Sequence, residues 1–342
     1  MIYSTQEKFP YFLSKEQLTW KSPHGRILPQ VQSGPLIMGI LNITPNSFSN
    51  DGVAGQPDKA LCLADKMIED GVDILDIGGV PTRPPFSRKV ESERPSILSD
   101  TLPDHDADAY TVSIEEELAR VLPTLKSIRA KYPHLPISVD TTRPQVAEAA
   151  IRSGADIIND QKALCEGIAT EEIQQMQKAF REGKLPENTP HSPMAEAIAG
   201  LECPIILMHN RVETHYYDFW AELFADFRCR LALAENAGIK KTQIWVDPGF
   251  CFGKEPKHNL EMVKNIHKLH KLEAPILLGT SRKSTIGKVL NSPIDQRIPG
   301  TITTTIIAAM QGVQMVRVHD VLANRQATRM MAAIQQGLNF DG

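Results

Sequence analysis

Short apolar runs recur along the chain, and most of them are followed by a longer amphipathic stretch. This alternation is typical of repeated β-strand and α-helix units. The runs are nearly continuous in apolar residues, as expected for parallel strands that are covered on both faces. The pattern predicts eight strands, at residues 36–41, 72–77, 137–139, 156–158, 204–208, 243–246, 275–278 and 315–318.

Amphipathic segments between these runs predict helices. Gly71, Gly154, Gly238 and Gly312 each follow such a segment shortly before the next strand, where a glycine commonly ends a helix. Eight strands with intervening helices favour a single (β/α)8 TIM barrel, an α/β fold, over an open sheet. No G-x-G-x-x-G motif follows the first strand, which weakens a dinucleotide-binding alternative. The predicted helices are residues 58–69, 114–131, 145–152, 218–237, 259–272, 303–311 and 321–334.

Three segments depart from the alternation of strands and helices. Residues 1–33 precede the first strand, and we expect them to form an N-terminal extension, a hairpin or plug over the barrel bottom, with the barrel itself at 34–342. Residues 88–110 carry Glu, Asp, Ser and Pro with little periodicity, which predicts an exposed, mobile insertion in the second βα loop at about 86–112. Residues 167–200 hold about one helix more than a minimal unit needs.

Composition narrows the class of protein. The chain has 342 residues, of which 42% are hydrophobic and 23% charged, so it can bury a large core. A net charge of -4 without a basic block argues against nucleic acid as a partner. We find neither a signal sequence nor an apolar run near the ~18 residues that a membrane span needs, and therefore expect a cytoplasmic protein without membrane association. The five cysteines are scattered without Cys-x-x-Cys spacing, which predicts reduced thiols.

Polar side chains follow the predicted strands at the end where TIM barrels carry their chemistry. Each alone could be a helix cap or a turn residue, but a complete ring around one mouth favours a site. The ring consists of Asn42, Gly78 followed by Thr82 and Arg83, Asp140, Asn159 with Asp160, His209, Asp247, residues 281–284, and His319 beside Arg317.

Two chemistries are combined in this ring. One group carries in-plane hydrogen-bond donors and acceptors that suit the edge of a flat heterocycle: Asp140, Asn159, Asp247 and Lys283. The other suits a phosphate or pyrophosphate: Arg83, Arg317 and His319, with Asn42 as a neutral ligand. A cluster of metal ligands is not obvious, but Mg2+ carried by a pyrophosphate would need few protein ligands.

Eight ordered stretches, from about residue 36 to the C-terminus, resemble dihydropteroate synthase. The stretches are G-I-L-N-I-T-P-N-S-F-S from Gly39, D-I-G-G from Asp76 with T-R-P from Thr82, S-V-D-T from Ser138, I-I-N-D from Ile157, L-M-H from Leu207, V-D-P-G-F-C-F-G-K from Val246, S-R-K-S from Ser281 and R-V-H-D from Arg317.

The resemblance implies a transferase of folate biosynthesis. Such an enzyme condenses 6-hydroxymethyl-7,8-dihydropterin pyrophosphate with p-aminobenzoate to give 7,8-dihydropteroate and pyrophosphate. Pyrophosphate leaves first, and the arylamine then attacks a pterin carbocation. The resemblance further implies small-molecule substrates, Mg2+ as cofactor, a sulfonamide target and a homodimer.

The family's functional residues carry over onto matching positions. Catalytic roles are implied for Arg83, Asp140, Lys283 and Arg317. Asp140, Asn159, Asp247 and Lys283 resemble the pterin-binding residues, and Met208 resembles a further substrate-binding residue. Arg317, His319 and Asn42, with Mg2+ at Asn42, resemble the pyrophosphate site. Thr82 and Arg83 belong to the second loop, near pyrophosphate and arylamine. Ser284, expected at a helix N-terminus, would receive the p-aminobenzoate carboxylate, and Phe252 and Pro84 would pack on its ring.

Some positions depart from the family pattern. Asn46 and Asn50 stand where aspartates are expected, and residues 80–81 and 85–86 differ around Thr82. Cys251 replaces a more usual glycine and is interpreted as a tolerated small side chain. The altered loops leave open a non-catalytic pterin-binding paralogue. A pterin-binding methyltransferase barrel is a second alternative, although such barrels lack the combined set of motifs that serves pyrophosphate and p-aminobenzoate.

Overall fold

The computed structural model describes residues 20–29, 31, 34–44, 56–80 and 112–336. These residues form eight strands, β1 (Leu36–Asn42), β2 (Ile74–Gly78), β3 (Ile137–Asp140), β4 (Ile157–Asp160), β5 (Ile205–Met208), β6 (Ile244–Asp247), β7 (Leu277–Leu278) and β8 (Met315–Val318). Their α-helices are α1 (Pro57–Glu69), α2 (Ile114–Lys131), α3 (Pro144–Arg152), α4 (Thr170–Arg181), α5 (Pro193–Leu201), α6 (Phe219–Asn236), α7 (Pro256–Lys264), α8 (Ser284–Leu290), α9 (Ile298–Met310) and α10 (Val321–Gln336).

The strands form one parallel sheet in the order β6-β5-β4-β3-β2-β1-β8-β7. A parallel bridge between Val246 and Ile276 joins the two outer strands and brings the sheet round into a barrel. The predicted (β/α)8 fold is therefore confirmed. The four glycines predicted to end helices all have positive φ, between +83° and +106°, a conformation that side chains other than glycine rarely adopt.

Strand register aligns the ends of the central strands. Asn42 pairs with Gly78, Gly78 with Asp140, and Asp140 with Asn159. Because parallel strands in register end at the same level, these residues form one row across four strands. The apolar-run predictions stopped one or two residues too early here, since β3, β4 and β6 each include their terminal aspartate.

The opposite end of the barrel is filled by large apolar side chains. Trp20, Trp245, Met38 and Leu277 belong to one buried cluster at this end. The rings of Trp20 and Trp245 stack with centroids 4.3 Å apart, and a bridge between Lys21 and Ile27 shapes a short hairpin-like turn. Most of residues 1–33 lie outside the described residues, so the predicted hairpin or plug and its boundary at residue 33 stay a prediction.

Three features of the helices differ from the predictions. The helix predicted at 259–272 is wrong as one element: α7 ends at Lys264, and a 3-10 helix follows at Ile266–Leu272. Asn265 adopts a non-helical conformation there, and its side chain bonds to Glu261. Helix α9 begins five residues before its predicted start, with Pro299 in its first turn, where the missing N–H of proline costs no helical hydrogen bond. The short helix α8 is absent from the helices predicted by periodicity, although the resemblance implied a helix that begins near Ser284.

The remaining predictions on organisation have mixed outcomes. The extra helix expected at 167–200 is confirmed, since both α4 and α5 lie there. Residues 81–111, which hold nearly all of the predicted insertion together with Thr82 and Arg83, lie outside the described residues. None of the helices that the structure describes is long and apolar enough to cross a membrane.

Candidate active site

The guanidinium group of Arg317 joins three strands at the mouth of the barrel. On β8, its Nε donates to Oδ2 of Asp76 at 2.6 Å, and its Nη2 donates to Oδ2 of Asp140 at 3.0 Å. Asn159 Nδ2 donates to the same oxygen of Asp76 at 3.1 Å, and Gln161 donates to Asp140. Planar donors and acceptors from four strands are thereby held in fixed orientations.

Asp76 is a central residue of the site that was not among the predicted site residues, although it opens the D-I-G-G motif. It is fully buried in β2, and its Oδ1 has no hydrogen-bond partner among the described residues. A buried carboxylate oxygen without a donor is costly, which is typical of functional sites rather than of structural ones. The available signal was a charged residue within an otherwise apolar run.

Asp247 and Lys283 form the second half of the site. Oδ1 of Asp247 accepts from the backbone N–H of Gly249 at 2.8 Å. Lys283 Nζ donates to the carbonyl of Phe250 at 2.9 Å and lies 4.7 Å from the ring centroid of Phe252. The two halves meet at Gly279, where an ideal Cβ would lie 3.7 to 3.9 Å from Arg317, Asp247 and Lys283. Because residue 279 is a glycine, no side chain of its own lies between these groups.

Burial sets the protonation behaviour of the site. It raises the pKa of Asp140 to about 7, because the loss of hydration outweighs the nearby charge of Arg317. It also raises the pKa of Asp247 and lowers that of Lys283, while each of these groups partly offsets the shift of the other. The pKa of Arg317 is raised despite its burial, because Asp76 and Asp140 stabilise the cation. Perturbed groups clustered at one barrel mouth are typical of an active site.

The other described candidates surround these two halves. Asn42 Oδ1 lies 3.8 Å from the ideal Cβ position of Gly78, and Asp140 approaches the same position at 3.6 Å. Met208 is buried and pairs in register with Asp247. These contacts place both side chains at the same end of the barrel as Asp247.

The loops after β7 and β8 supply further candidates. His319 Nδ1 lies 2.9 Å from Ser281 Oγ, which also accepts from the His319 backbone N–H. Ser284 is exposed at the first position of α8, as expected, and its Oγ lies 3.6 Å from Cys251 Sγ. Thr82 and Arg83 lie outside the described residues, so their place in this arrangement stays a prediction.

Among the described members of the predicted ring, His209 does not face the mouth. Its side chain is fully buried, with Nε2 2.8 Å from Asp226 and Nδ1 2.8 Å from Lys254. The apolar-run pattern located His209 at a strand end correctly. It could not show that the ring turns toward helix α6 instead of the mouth.

The model of the pterin binding enzyme family matches residues 38–96 and 102–319. The chain therefore belongs to the pterin-binding enzymes.

Its relatives include dihydropteroate synthases. The enzyme of that name from Clostridium beijerinckii is 38% identical over 295 residues, covering 86% of this chain and 92% of the relative. A Coxiella burnetii dihydropteroate synthase solved in complex with pteroic acid has a TM-score of 0.72 and 29% identity, over 93% of this chain and 98% of the other. The Yersinia pestis dihydropteroate synthase with a sulfonamide drug complex has a TM-score of 0.74 and 31% identity, over 94% of this chain and 100% of the other.

These similarities confirm the resemblance found in the sequence. They identify a transferase of the dihydropteroate synthase type and favour it over the methyltransferase and non-catalytic alternatives.

Proposed function

We propose that this protein condenses 6-hydroxymethyl-7,8-dihydropterin pyrophosphate with p-aminobenzoate, releasing pyrophosphate and 7,8-dihydropteroate. The observation that carries the proposal is the arrangement around Gly279, where the Asp247 carboxylate, Nζ of Lys283 and the side chain of Arg317 come together at the barrel mouth. A buried carboxylate beside a half-buried cation suits the donor and acceptor edge of a pterin. The pteroic acid bound to the Coxiella burnetii relative contains both halves of that product.

The pterin edge is assigned to the polar side chains at the ends of β3, β4 and β6 and in the loop after β7. Asp247 would accept from the 2-amino and N3–H groups, and Lys283 would donate to the pterin oxygen or a ring nitrogen. Asp140 and Asn159 would bond to the remaining edge, with Met208 against the ring. Hydrogen bonds to a charged partner contribute ~1.5 to 3 kcal/mol each, so a few of them suffice for specific binding.

The pyrophosphate is assigned to the cationic side of the mouth. Arg317 and His319, with Thr82 and Arg83 from the second loop, would bind it and neutralise the charge that develops as it leaves. The electron-rich dihydropterin delocalises the resulting positive charge on its exocyclic methylene. The arylamine nitrogen then attacks that carbon and loses a proton. No covalent bond to the enzyme is required.

We propose Mg2+ as the cofactor that accompanies pyrophosphate. No group of three or more His, Cys, Asp or Glu side chains among the described residues could hold a metal ion. Asn42 offers one neutral amide oxygen beside Asp140 at the end of β1. A single protein oxygen suits a hard cation that keeps water and phosphate oxygens as its other ligands, and the bound ion would supply positive charge to the leaving group.

The arylamine is assigned to the space between Phe252 and the start of α8. Phe252 would pack on the ring, and Ser284 with the first backbone N–H groups of α8 would receive the carboxylate. Lys283, the neighbour of Ser284, has its charge above the ring of Phe252 and adds positive potential near the carboxylate.

We further propose a homodimer that forms through helices remote from the mouth. Exposed apolar side chains on α9 and α10 support this, because such residues are expected to be covered by a partner. The residues are Ile307, Met310, Leu322, Met330 and Ile334, which are 39% to 71% exposed. The free cysteines fit a reducing cytoplasm, where we place the protein.

A steady-state assay of pyrophosphate release, with and without p-aminobenzoate, tests the proposed reaction. Release that depends on p-aminobenzoate, together with formation of dihydropteroate, is the expected result. Binding of the pterin substrate without any release would instead indicate a non-catalytic pterin-binding protein. Failure to bind the pterin at all would refute the assignment of the site.

A further inference from the structure

A second group of buried polar side chains lies between the loops that follow β5 and β6. His209, Asp226 and Lys254 are each at most 5% exposed. Nε2 of His209 is 2.8 Å from Asp226, and Nδ1 is 2.8 Å from Nζ of Lys254. The proposed reaction assigns none of these three residues a contact with substrate.

The proton positions in this group follow from the number of acceptors around Lys254. Its Nζ lies 2.8 Å from His209 Nδ1, 3.1 Å from the Gly249 carbonyl and 3.0 Å from the Phe252 carbonyl. An ammonium group has three N–H donors and no acceptor, so each donor has one partner. Nδ1 of His209 is therefore the acceptor, and Nε2–H donates to Asp226. Burial lowers the pKa of His209 to about 3, which agrees with a neutral ring.

Two lysines hold the same loop through its backbone. Lys254 binds the carbonyls of Gly249 and Phe252, while Lys283 binds the carbonyl of Phe250 between them. Three of four successive carbonyls therefore have a cationic donor. Hydrogen bonds to charged groups are about twice as strong as neutral ones, so this loop is held firmly in one conformation.

The loop also rests directly on the backbone that follows β5. Gly249 has φ +67°, and an ideal Cβ there would lie 1.9 Å from the His209 carbonyl oxygen. Gly253 has φ +59°, and its Cβ would lie 2.4 Å from the Arg211 carbonyl oxygen. Tyr216 Oη donates to the Gly253 carbonyl at 2.9 Å. Because the loop and its support are in direct contact, the buried group fixes the position of the loop relative to β5.

The part of the site that depends most on this loop is Phe252. Its ring lies beneath Nζ of Lys283, and its own carbonyl is one of the acceptors of Lys254. Asp247, in contrast, is the last residue of β6 and is held by the sheet through its pairing with Met208. Loss of the Lys254 hydrogen bonds would therefore displace Phe252 more than Asp247.

We propose that Lys254, oriented by His209 and Asp226, is a positioning residue that fixes Phe252 for binding of the arylamine. This inference rests on the proposed function, because it uses the assignment of Phe252 to the p-aminobenzoate ring.

Lys254→Met tests the inference, since it keeps the length of the side chain and removes all three donors. The Michaelis constant for p-aminobenzoate should rise tenfold or more. The kcat and the Michaelis constant for the pterin substrate should change less than threefold. Lys257→Met is the matched control, because Lys257 lies three residues away, is exposed and pairs only with Glu255 among the described residues. It should behave as the unaltered enzyme. Burial lowers the pKa of Lys254 to about 7, so assays at pH 6.5 favour the ammonium form.

The outcomes distinguish a failure of the positioning role from a failure of the proposed function. An unchanged Michaelis constant for p-aminobenzoate in folded Lys254→Met enzyme would overturn the positioning role. Equal losses for both substrates, together with a lower melting temperature, would show a structural role only and overturn it as well. If Lys254→Met does not fold, Lys254→Gln, which retains two N–H donors, should show the same selective rise at smaller size. Unaltered enzyme that releases no pyrophosphate would refute the proposed function, and the inference with it.

Discussion

Replacing Asp247 by Ala is the most direct test of the pterin assignment. Asp247 is 4% exposed at the end of β6, and its Oδ1 already accepts from the Gly249 N–H at 2.8 Å. The proposed complex adds two hydrogen bonds from the pterin to the same carboxylate. The alanine variant removes both acceptors and leaves the strand that carries them in place.

The expected loss can be worked out from these contacts. Two hydrogen bonds to a charged group contribute about 3 to 6 kcal/mol together. Since 1.4 kcal/mol corresponds to a tenfold change, a loss of about 3 to 6 kcal/mol weakens pterin binding about 10²- to 10⁴-fold.

Isothermal titration calorimetry with a pterin ligand measures this loss. Asp156→Ala is the matched control, because Asp156 is also buried but pairs with Arg26 and Arg129 at the opposite end of the barrel. That variant should lower the melting temperature and leave pterin affinity unchanged. If folded Asp247→Ala protein bound the pterin within threefold of the unaltered enzyme, the assignment would be refuted.

Three further predictions concern stability. Trp20→Ala should cost about 3 to 5 kcal/mol in chemical denaturation, because its buried ring stacks on Trp245, yet leave turnover unchanged; a cost under about 1 kcal/mol would contradict the plug. Cys251 has φ +71°, so Cys251→Gly should be more stable than Cys251→Ala by about 1 kcal/mol, and equal melting curves would argue against strain there. The pKa of His209 is lowered from 6.5 to about 3, so its contribution to stability is present above pH 6.5 and is lost as pH falls toward 3. Melting temperature should thus fall less steeply over that window in His209→Gln, and an identical slope would count against the neutral ring.

The candidate site was predictable where chemistry coincides with a strand end. Asp140, Asn159 and Asp247 could be found because a polar residue that closes an apolar run in a barrel lies at the mouth. Asp76 escaped that rule, since it lies two residues before the end of β2 and looks like part of the core. Its role depends on Arg317, 241 residues away in the chain, and no local pattern contains such a pairing.

The sequence by itself determined the repeated strand and helix units, the glycine helix ends and the family, because these depend on local periodicity and on short ordered motifs. It determined boundaries less well where long-range contacts compete with local preference. The 3-10 helix at Ile266–Leu272, where a continuation of α7 was predicted, is one example. Its His267 bonds to Gln311, which follows directly after α9.

Only the tertiary structure decided the direction and the protonation of the polar side chains. His209 and Asp247 both end or follow apolar strands, and nothing local distinguishes them. The His209 ring turns toward Asp226 and Lys254 beneath a loop, whereas the Asp247 carboxylate lies beside Gly279 at the mouth. Burial and neighbouring charge, which shift each pKa, arise from residues brought together by barrel closure. The sequence pattern identifies side chains that could contact the substrate, and the packing of the barrel determines which of them face it.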